Sequence, residues 1–275
     1  MGSIAYINGK LMPIDQASVN IEDRGYQFGD GIYEVVVSYN GSLFKLDAHI
    51  ERLKRSAEVI NLEINHSISE IRDICQKVFL KSKLDFASLY IQVTRGVSPR
   101  QHNIPENYEP NLIITVREKP EPAEMVKAVT AEDLRWKKCC VKTTNLLPNV
   151  LAKRYAHDSG CDEAILIREG NLMEGTSTNI FLVKDGVVLT PPADDYILEG
   201  ITRNTVLNLI EKRGYISKVR YIKAQELFSA DEVFLTGTYV EVMPVIEIDG
   251  VTINGGKPGS YTRTLREDYR NLFAP

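Results

Sequence analysis

Four Asn-Gly or Asp-Gly dipeptides constrain this chain more than any other feature. Asn8-Gly9, Asn40-Gly41, Asp185-Gly186 and Asp249-Gly250 each lie between apolar or β-branched stretches. These residue types accept the positive φ angles of tight hairpin turns, so each dipeptide predicts a pair of antiparallel strands. Two fall early and two late, which puts antiparallel sheet in both halves of the chain. A doubly wound parallel sheet is thereby disfavoured.

Helical patterns separate these sheets. From Asp47, a candidate N-cap, Ile50, Leu53, Ala57 and Ile60 recur on one face. Residues 69–82 give a second helix with Ile71, Ile74, Val78 and Phe79 as its stripe. Residues 149–158 form a third, stopped at Gly160. A fourth runs from Thr202, as cap, to Arg213, with Val206, Leu207 and Ile210 inside and Gly214 as its stop. Extended runs at Ser88–Thr94 and Asn111–Val116 flank a polar loop. Pro120 and Pro122 then stand among charges, which marks 119–125 as a linker. The expectation is an α+β chain with antiparallel or mixed sheets and flanking helices in each domain: a smaller domain over 1–118 and a larger one over 126–275.

Composition excludes some classes of function. The 275 residues are 43% hydrophobic, enough for one sizeable core or two smaller ones. A net charge of -4 argues against a general nucleic-acid binder but leaves room for a local basic pocket. Cys75, Cys139, Cys140 and Cys161 form no CxxC pair, and His49, His66, His102 and His157 lie far apart. Neither a metal site nor a disulfide framework is expected, and reduced thiols are the simplest reading. The first ten residues lack a basic segment followed by an apolar run, and the Met-Gly start has Tyr6 where myristoylation wants Ser or Thr. No apolar run is long enough to span a membrane. A cytoplasmic protein with no membrane or nucleic-acid partner is expected.

Six segments could carry chemistry. The stretch from Glu22 to Glu34 packs Gly25, Gly29 and Gly31 among aromatic and charged residues just before a strand. It fails as a dinucleotide or phosphate loop, because no helix and no Gly-Lys-Ser/Thr follow, and its plain reading is a turn. Arg95, Arg100 and His102 sit on a loop broken by Gly96 and Pro99. It is either a carboxylate-holding loop or a solvated basic one. Lys142 follows Cys140 and Val141 in an apolar, β-prone stretch. Loss of water would favour the neutral amine that imine chemistry needs, while a strand lysine facing water is the other reading. Lys153 competes with it, although a helix beside Arg154 suits a charged face better. Glu174 is followed by a glycine and three hydroxyl residues, which could meet a protonated ring nitrogen or form a polar turn. Leu198 to Arg203 opens a helix, whose free N–H groups suit phosphate. Thr236-Gly237-Thr238-Tyr239 is a second Gly/Thr turn at a strand end. Together these segments supply what pyridoxal phosphate (PLP) requires: a lysine, an acid for the ring nitrogen, a phosphate cup and an arginine for the substrate.

With those pieces in view, the chain resembles the fold-type IV PLP enzymes, and within them the D-amino acid aminotransferases. The likeness runs almost end to end. It is carried by EDRGYQFGDGIYEVV at 22–36, RGVSPRQH at 95–102, KTTNLL at 142–147 and AHDSGCDEAIL at 156–166. E-G-x-S-x-N at 174–179 and L-x-G-I-T-R at 198–203 complete it. The resemblance implies ping-pong transfer of the amino group of a D-amino acid, such as D-alanine, to a 2-oxo acid, such as 2-oxoglutarate. It implies that Lys142 holds PLP as a Schiff base and then moves the proton. Glu174 would face the pyridine nitrogen. Arg52 would hold the phosphate with the Ile201 and Thr202 backbone, Gly237 and Thr238, while Ser177 and Leu198 also touch the cofactor. Tyr33, Arg100 and His102 would trap the substrate carboxylate, the last two reaching in from the partner subunit of a homodimer with its active sites at the interface.

The chain departs from the family pattern at Val37, where a lysine is common, and at Gly237, where a serine is. Tyr239 and Val240 replace smaller hydroxyl residues, and Pro148 replaces a glycine. Other readings share the scaffold. A branched-chain L-aminotransferase would lack the Arg100–His102 block, an (R)-amine transaminase would need no strict carboxylate trap, and an aminodeoxychorismate lyase would release pyruvate. A non-catalytic binding protein would leave Lys142 and Glu174 without a purpose.

Overall fold

The computed structural model describes residues 3–274. Met1 and Gly2, on which the myristoylation reading rests, and Pro275 lie outside the described residues. Backbone contacts divide the chain into two units. One runs to Pro120 and includes Val141–Asn145; the other comprises Glu121–Cys140 and the chain from Leu146 onward. The sequence places residues 141–145 in the C-terminal domain, but their backbone puts them in the first unit. Tyr33 N–H donates to the Lys142 carbonyl at 2.9 Å and Thr144 N–H to the Gly31 carbonyl at 3.0 Å.

The first unit is built on a six-stranded antiparallel sheet. Its strands are β1 (Ile4–Ile7), β2 (Lys10–Pro13), β3 (Gly31–Tyr39), β4 (Ser42–Leu43), β5 (Ala87–Thr94) and β6 (Asn111–Glu118), in the order β2-β1-β6-β5-β3-β4. The Asn8-Gly9 and Asn40-Gly41 turns join β1 to β2 and β3 to β4, all four residues having positive φ. Three helices belong here: α1 (Arg24–Phe28), α2 (Leu46–Val59) and α3 (Ile68–Ser82). Helix α2 packs on β3 and α3 on β6. Ile50, Leu53, Ala57, Ile71, Val78 and Phe79 are buried, so the predicted stripes are largely the packed faces, while Ile74 is half-buried and Ile60 lies half-buried at the C-cap of α2. Asp47 is not a cap. Lys45 holds the cap position with φ 53°, and Asp47 sits in the first turn, where a carboxylate complements the helix dipole.

The second unit carries nine strands: β7 (Val126–Glu132), β8 (Glu163–Arg168), β9 (Asn171–Gly175), β10 (Asn179–Lys184), β11 (Val187–Thr190), β12 (Ile216–Val219), β13 (Glu232–Gly237), β14 (Glu241–Ile248) and β15 (Val251–Thr252). The order is β12-β11-β10-β13-β14-β7-β8-β9, with β15 on β14. Pairing is mixed: β11–β12, β14–β7 and β7–β8 are parallel and the rest antiparallel. The Asp185-Gly186 and Asp249-Gly250 turns close β10–β11 and β14–β15. One core cluster on the sheet includes Ile165, Leu172, Ile180, Leu235 and Met243, while Phe181 and Phe234, stacked at 4.9 Å on paired strands, alternate with it and point to the other face.

Helices α4 (Leu147–Asp158), α5 (Ile201–Lys212) and α6 (Ser260–Asn271) complete the unit. Thr202 is not the cap of α5. Gly200 takes that position, and the Thr202 hydroxyl lies inside the first turn, hydrogen-bonded to Tyr269 of α6. Helix α6 is absent from the sequence expectations. It packs on α5, β13 and β14. No helix among the described residues is long and apolar enough to cross a membrane.

Candidate active site

In the first unit Lys142 is half-buried, its Nζ 4.3 Å from the centroid of the Tyr33 ring. Its backbone is fixed on both sides. The N–H donates to Ser56 Oγ at 3.2 Å and the carbonyl accepts from Tyr33. The Tyr33 ring stacks on Tyr90 at 5.5 Å. Successive strand residues point to opposite faces, so Glu34 turns the other way, toward α2. There it is fully buried and accepts from Arg52 Nε at 2.7 Å and Arg52 Nη2 at 2.9 Å. His49 Nδ1 lies 2.7 Å from the same carboxylate. His49, Arg52 and Ser56 lie three and four residues apart, which makes a polar stripe on the buried side of α2.

Charge settles the protonation states. Burial alone would raise the Glu34 pKa, but the Arg52 guanidinium and the His49 ring outweigh it and hold the carboxyl down at about 2. Burial pushes the His49 ring below its ordinary 6.5, with Glu34 opposing. The ionised carboxylate only accepts, so a neutral His49 donates from Nδ1.

A pH dependence of folding follows. Glu34 binds its proton less tightly folded than unfolded, so its contribution of about 3 kcal/mol is complete above the unfolded value and lost as pH falls through 4.5 toward 2. His49 also resists protonation when folded, so stability declines below about pH 6.5. Urea melts across pH 3–7 should show both declines, and Glu34→Gln should flatten the lower one. A Glu34→Gln profile parallel to the wild type at low pH would contradict the assignment.

The loop between β5 and β6 carries Arg95, Arg100 and His102, and they part company. Arg95 is 1% exposed. Its guanidinium is committed to Asp30, to the Ile60 and Asn61 carbonyls that end α2, and to Tyr108 Oη. It is a structural residue, not a carboxylate ligand. Arg100 and His102 are exposed and rest on the Phe28 ring at 5.1 and 5.7 Å. Among the described residues neither pairs with an acid.

In the second unit Glu174 is buried at the end of β9. Its Oε1 accepts from Arg135 Nη1 and from Leu198 N–H at 3.3 Å; its Oε2 accepts from Asn179 Nδ2 at 3.0 Å. Oε2 thus keeps a lone pair for one further donor. Burial pushes the Glu174 carboxyl up against the opposing charge of Arg135. Burial also works against the Arg135 charge. The hydrogen bonds of Asp133, at 2.8 and 3.0 Å, and the nearby carboxylates outweigh it and hold the guanidinium ionised. Arg168 pairs with the same Asp133 at 3.0 Å.

The hydroxyls after Glu174 do not all line a pocket. Thr176 Oγ1 donates to the buried Glu163 at 2.5 Å and Thr178 Oγ1 to the same carboxylate at 3.4 Å, which shapes the turn; Ser177 is exposed. Among the described residues no side chain caps α5, so its first N–H groups, at Ile201 and Thr202, are left open at the start of a twelve-residue helix. The chain enters it tightly. A Cβ on Gly200 would lie 2.0 Å from Asn179 Oδ1, the side chain that links Glu174 to the Leu198 carbonyl. Gly237 and Thr238 leave the end of β13, where Thr236 Oγ1 is buried with no partner among the described residues.

Sequence reasoning misses Glu34 and His49 as a buried pair, and Arg135, Asp133 and Glu163. Only the first pair left a signal, in the polar residues at helical spacing on the apolar side of α2.

Comparison with known proteins gives one answer about kinship. The profile of the family described as amino-transferase class IV matches residues 31–248. The D-alanine aminotransferase of Bacillus licheniformis is 43% identical over 268 residues, covering 96% of this chain and 95% of the relative. Among solved structures, the Escherichia coli branched-chain amino acid aminotransferase superposes with a TM-score of 0.95 at 26% identity, covering 100% of this chain and 95% of that one. A second branched-chain amino acid aminotransferase, from T.th. and complexed with N-(5'-phosphopyridoxyl)-L-glutamate, superposes at 0.93 with 27% identity, covering 99% and 94%.

Proposed function

The chain belongs to the class IV aminotransferases, and from that premise we propose that it moves the amino group of a D-amino acid, such as D-alanine, onto a 2-oxo acid such as 2-oxoglutarate, with PLP as cofactor. The full-length likeness to a D-alanine aminotransferase carries this reading. The Arg100–His102 pair supports it, because a branched-chain L-aminotransferase would lack that block.

The residues present fit the cofactor. Glu174 keeps an open acceptor position, the α5 start is uncapped, and Lys142 pairs with no acid among the described residues. When bound, PLP supplies an aldehyde for the substrate nitrogen and a protonated ring that draws electrons from the α-carbon. Lys142 Nζ would hold the cofactor and would carry the α-carbon proton. Glu174 keeps the proton on the ring nitrogen. By the resemblance, Arg52, the Ile201 and Thr202 N–H groups, Gly237 and Thr238 would hold the phosphate. Ser177 and Leu198 line the ring. Tyr33, Arg100 and His102 hold the substrate carboxylate.

A homodimer, with Arg100 and His102 contributed across its interface, is part of the same proposal. Leu147, Val150, Leu151 and Tyr155 support it: all four are at least half exposed and share one face of α4. Light scattering should give twice the chain mass, and Leu151→Glu should lower it toward one chain; an unchanged mass would remove α4 from the interface. A cytoplasmic setting suits the four free cysteines.

The test of the proposal is a panel of D-alanine, L-alanine, D-glutamate, L-leucine and (R)-1-phenylethylamine, followed by cofactor absorbance. D-alanine should convert the cofactor to its amino form and 2-oxoglutarate should restore it. Faster conversion by L-leucine or by the amine would overturn the D-amino acid reading.

A further inference from the structure

We propose that Arg24 is a positioning residue that presents Arg100 and His102, and that the glycine-rich segment 22–31 exists to build their seat. This rests on the reading of Arg100 and His102 as the carboxylate trap.

The seat starts with backbone. Arg24 N–H donates to the Gly96 carbonyl at 2.9 Å, Ser98 N–H to the Glu22 carbonyl at 3.3 Å, and Asp23 forms a β-bridge with Val97. Gly25 lets the two stretches come this close, because a Cβ there would lie 2.2 Å from Thr94 Cγ2. Gly96, at φ +88°, lets the loop close on itself, because a Cβ there would lie 1.9 Å from the Glu109 carbonyl oxygen.

The buried Arg24 side chain then reaches further along the loop. Its Nη1 donates to the Gln101 carbonyl at 2.7 Å and the Asn103 carbonyl at 3.3 Å, which flank His102. Its Nε is anchored on Asp30 at 2.8 Å, the carboxylate that also takes Arg95 Nε. Phe28 serves all three side chains of the region. Arg24 lies 4.8 Å and Arg100 5.1 Å from its ring centroid, and the His102 ring meets it edge-on at 5.7 Å.

This arrangement has a consequence for binding. An exposed arginine on a free loop loses much rotamer freedom when it grips a ligand. Arg100 is already laid on an aromatic face, which leaves its N–H edges for a carboxylate. The loop backbone on either side of His102 is already fixed. A lysine at position 24 would keep the charge beside Asp30 but not the fork that reaches both carbonyls.

The test uses the holoenzyme and a double-mutant cycle. Arg24→Lys should raise KM for both D-alanine and 2-oxoglutarate about tenfold, since both carry the carboxylate, with kcat changed less than about twofold. Phe28→Leu should act in the same direction and serves if Arg24→Lys does not fold. Either change should add almost nothing in an Arg100→Ala/His102→Ala background, because its effect runs through those two residues. Independent, multiplying losses, or a fall in kcat as large as the rise in KM, would overturn the positioning role. If Arg100→Ala itself leaves KM unchanged, the trap reading has failed and the proposal falls with it. If Arg100→Ala raises KM and the losses multiply, only the role of Arg24 fails.

Discussion

Lys142→Ala should lower turnover of D-alanine by roughly 10³-fold or more, the scale expected when a positioned proton-transfer group and covalent anchor are both removed. The fold should survive. The bonds that fix this residue are made by its backbone, to Ser56 Oγ and Tyr33 N–H, and alanine keeps both. The lost protein contact is that of the amine over the Tyr33 ring. Unfolding midpoints should therefore match while single-turnover rates collapse. A variant with more than a few per cent of wild-type turnover would place the reacting amine elsewhere.

Glu174→Gln should slow the half-reaction with D-alanine on the order of 100-fold, the loss typical of removing one preorganised charge from a reacting centre. Glutamine keeps an acceptor for Leu198 N–H and a similar shape beside Asn179, but it cannot hold a proton on the ring nitrogen. Arg135 is not stranded by the change, because Asp133 still pairs with it through both oxygens. The stability cost should stay at about 1–3 kcal/mol, that of one disturbed buried bond. Stopped-flow absorbance and cofactor content measured together check this. Equal half-reaction rates in variant and wild type would remove the electrostatic role of Glu174.

The four hairpin dipeptides were legible because the requirement is local: two residues at positive φ, whatever surrounds them. The stripes of α2 and α3 were legible for a similar reason, whereas in α5 Val206 and Ile210 are buried as expected but Leu209, not Leu207, completes the face. Helix α6 was not, because its buried line is Thr262, Leu265 and Tyr269, with one aliphatic residue among charges. The site divides along the same boundary. Lys142 and Glu174 stand in long motifs, and the resemblance of those motifs carries their assignment. Arg95 looked like a ligand beside Arg100, yet only tertiary packing shows that it closes the end of α2. Thr176 and Thr178 looked like pocket hydroxyls, yet a carboxylate thirteen residues before the first of them, Glu163, claims both. Arg135 comes from a segment with no pattern and meets Glu174 only once β7 and β9 flank β8 in the sheet.

Lys142 and Lys153 remain the two amines that the sequence offers, and the structure separates them. Lys153 is half exposed, donates to the Asp162 carbonyl and lies 3.6 Å from Glu163. Reduction of the holoenzyme with borohydride, then proteolysis and mass mapping, asks which amine holds the cofactor. The phosphopyridoxyl group should be found on the peptide containing Lys142, at one per chain. Its recovery on Lys153, or on no lysine at all, would contradict the account at its centre.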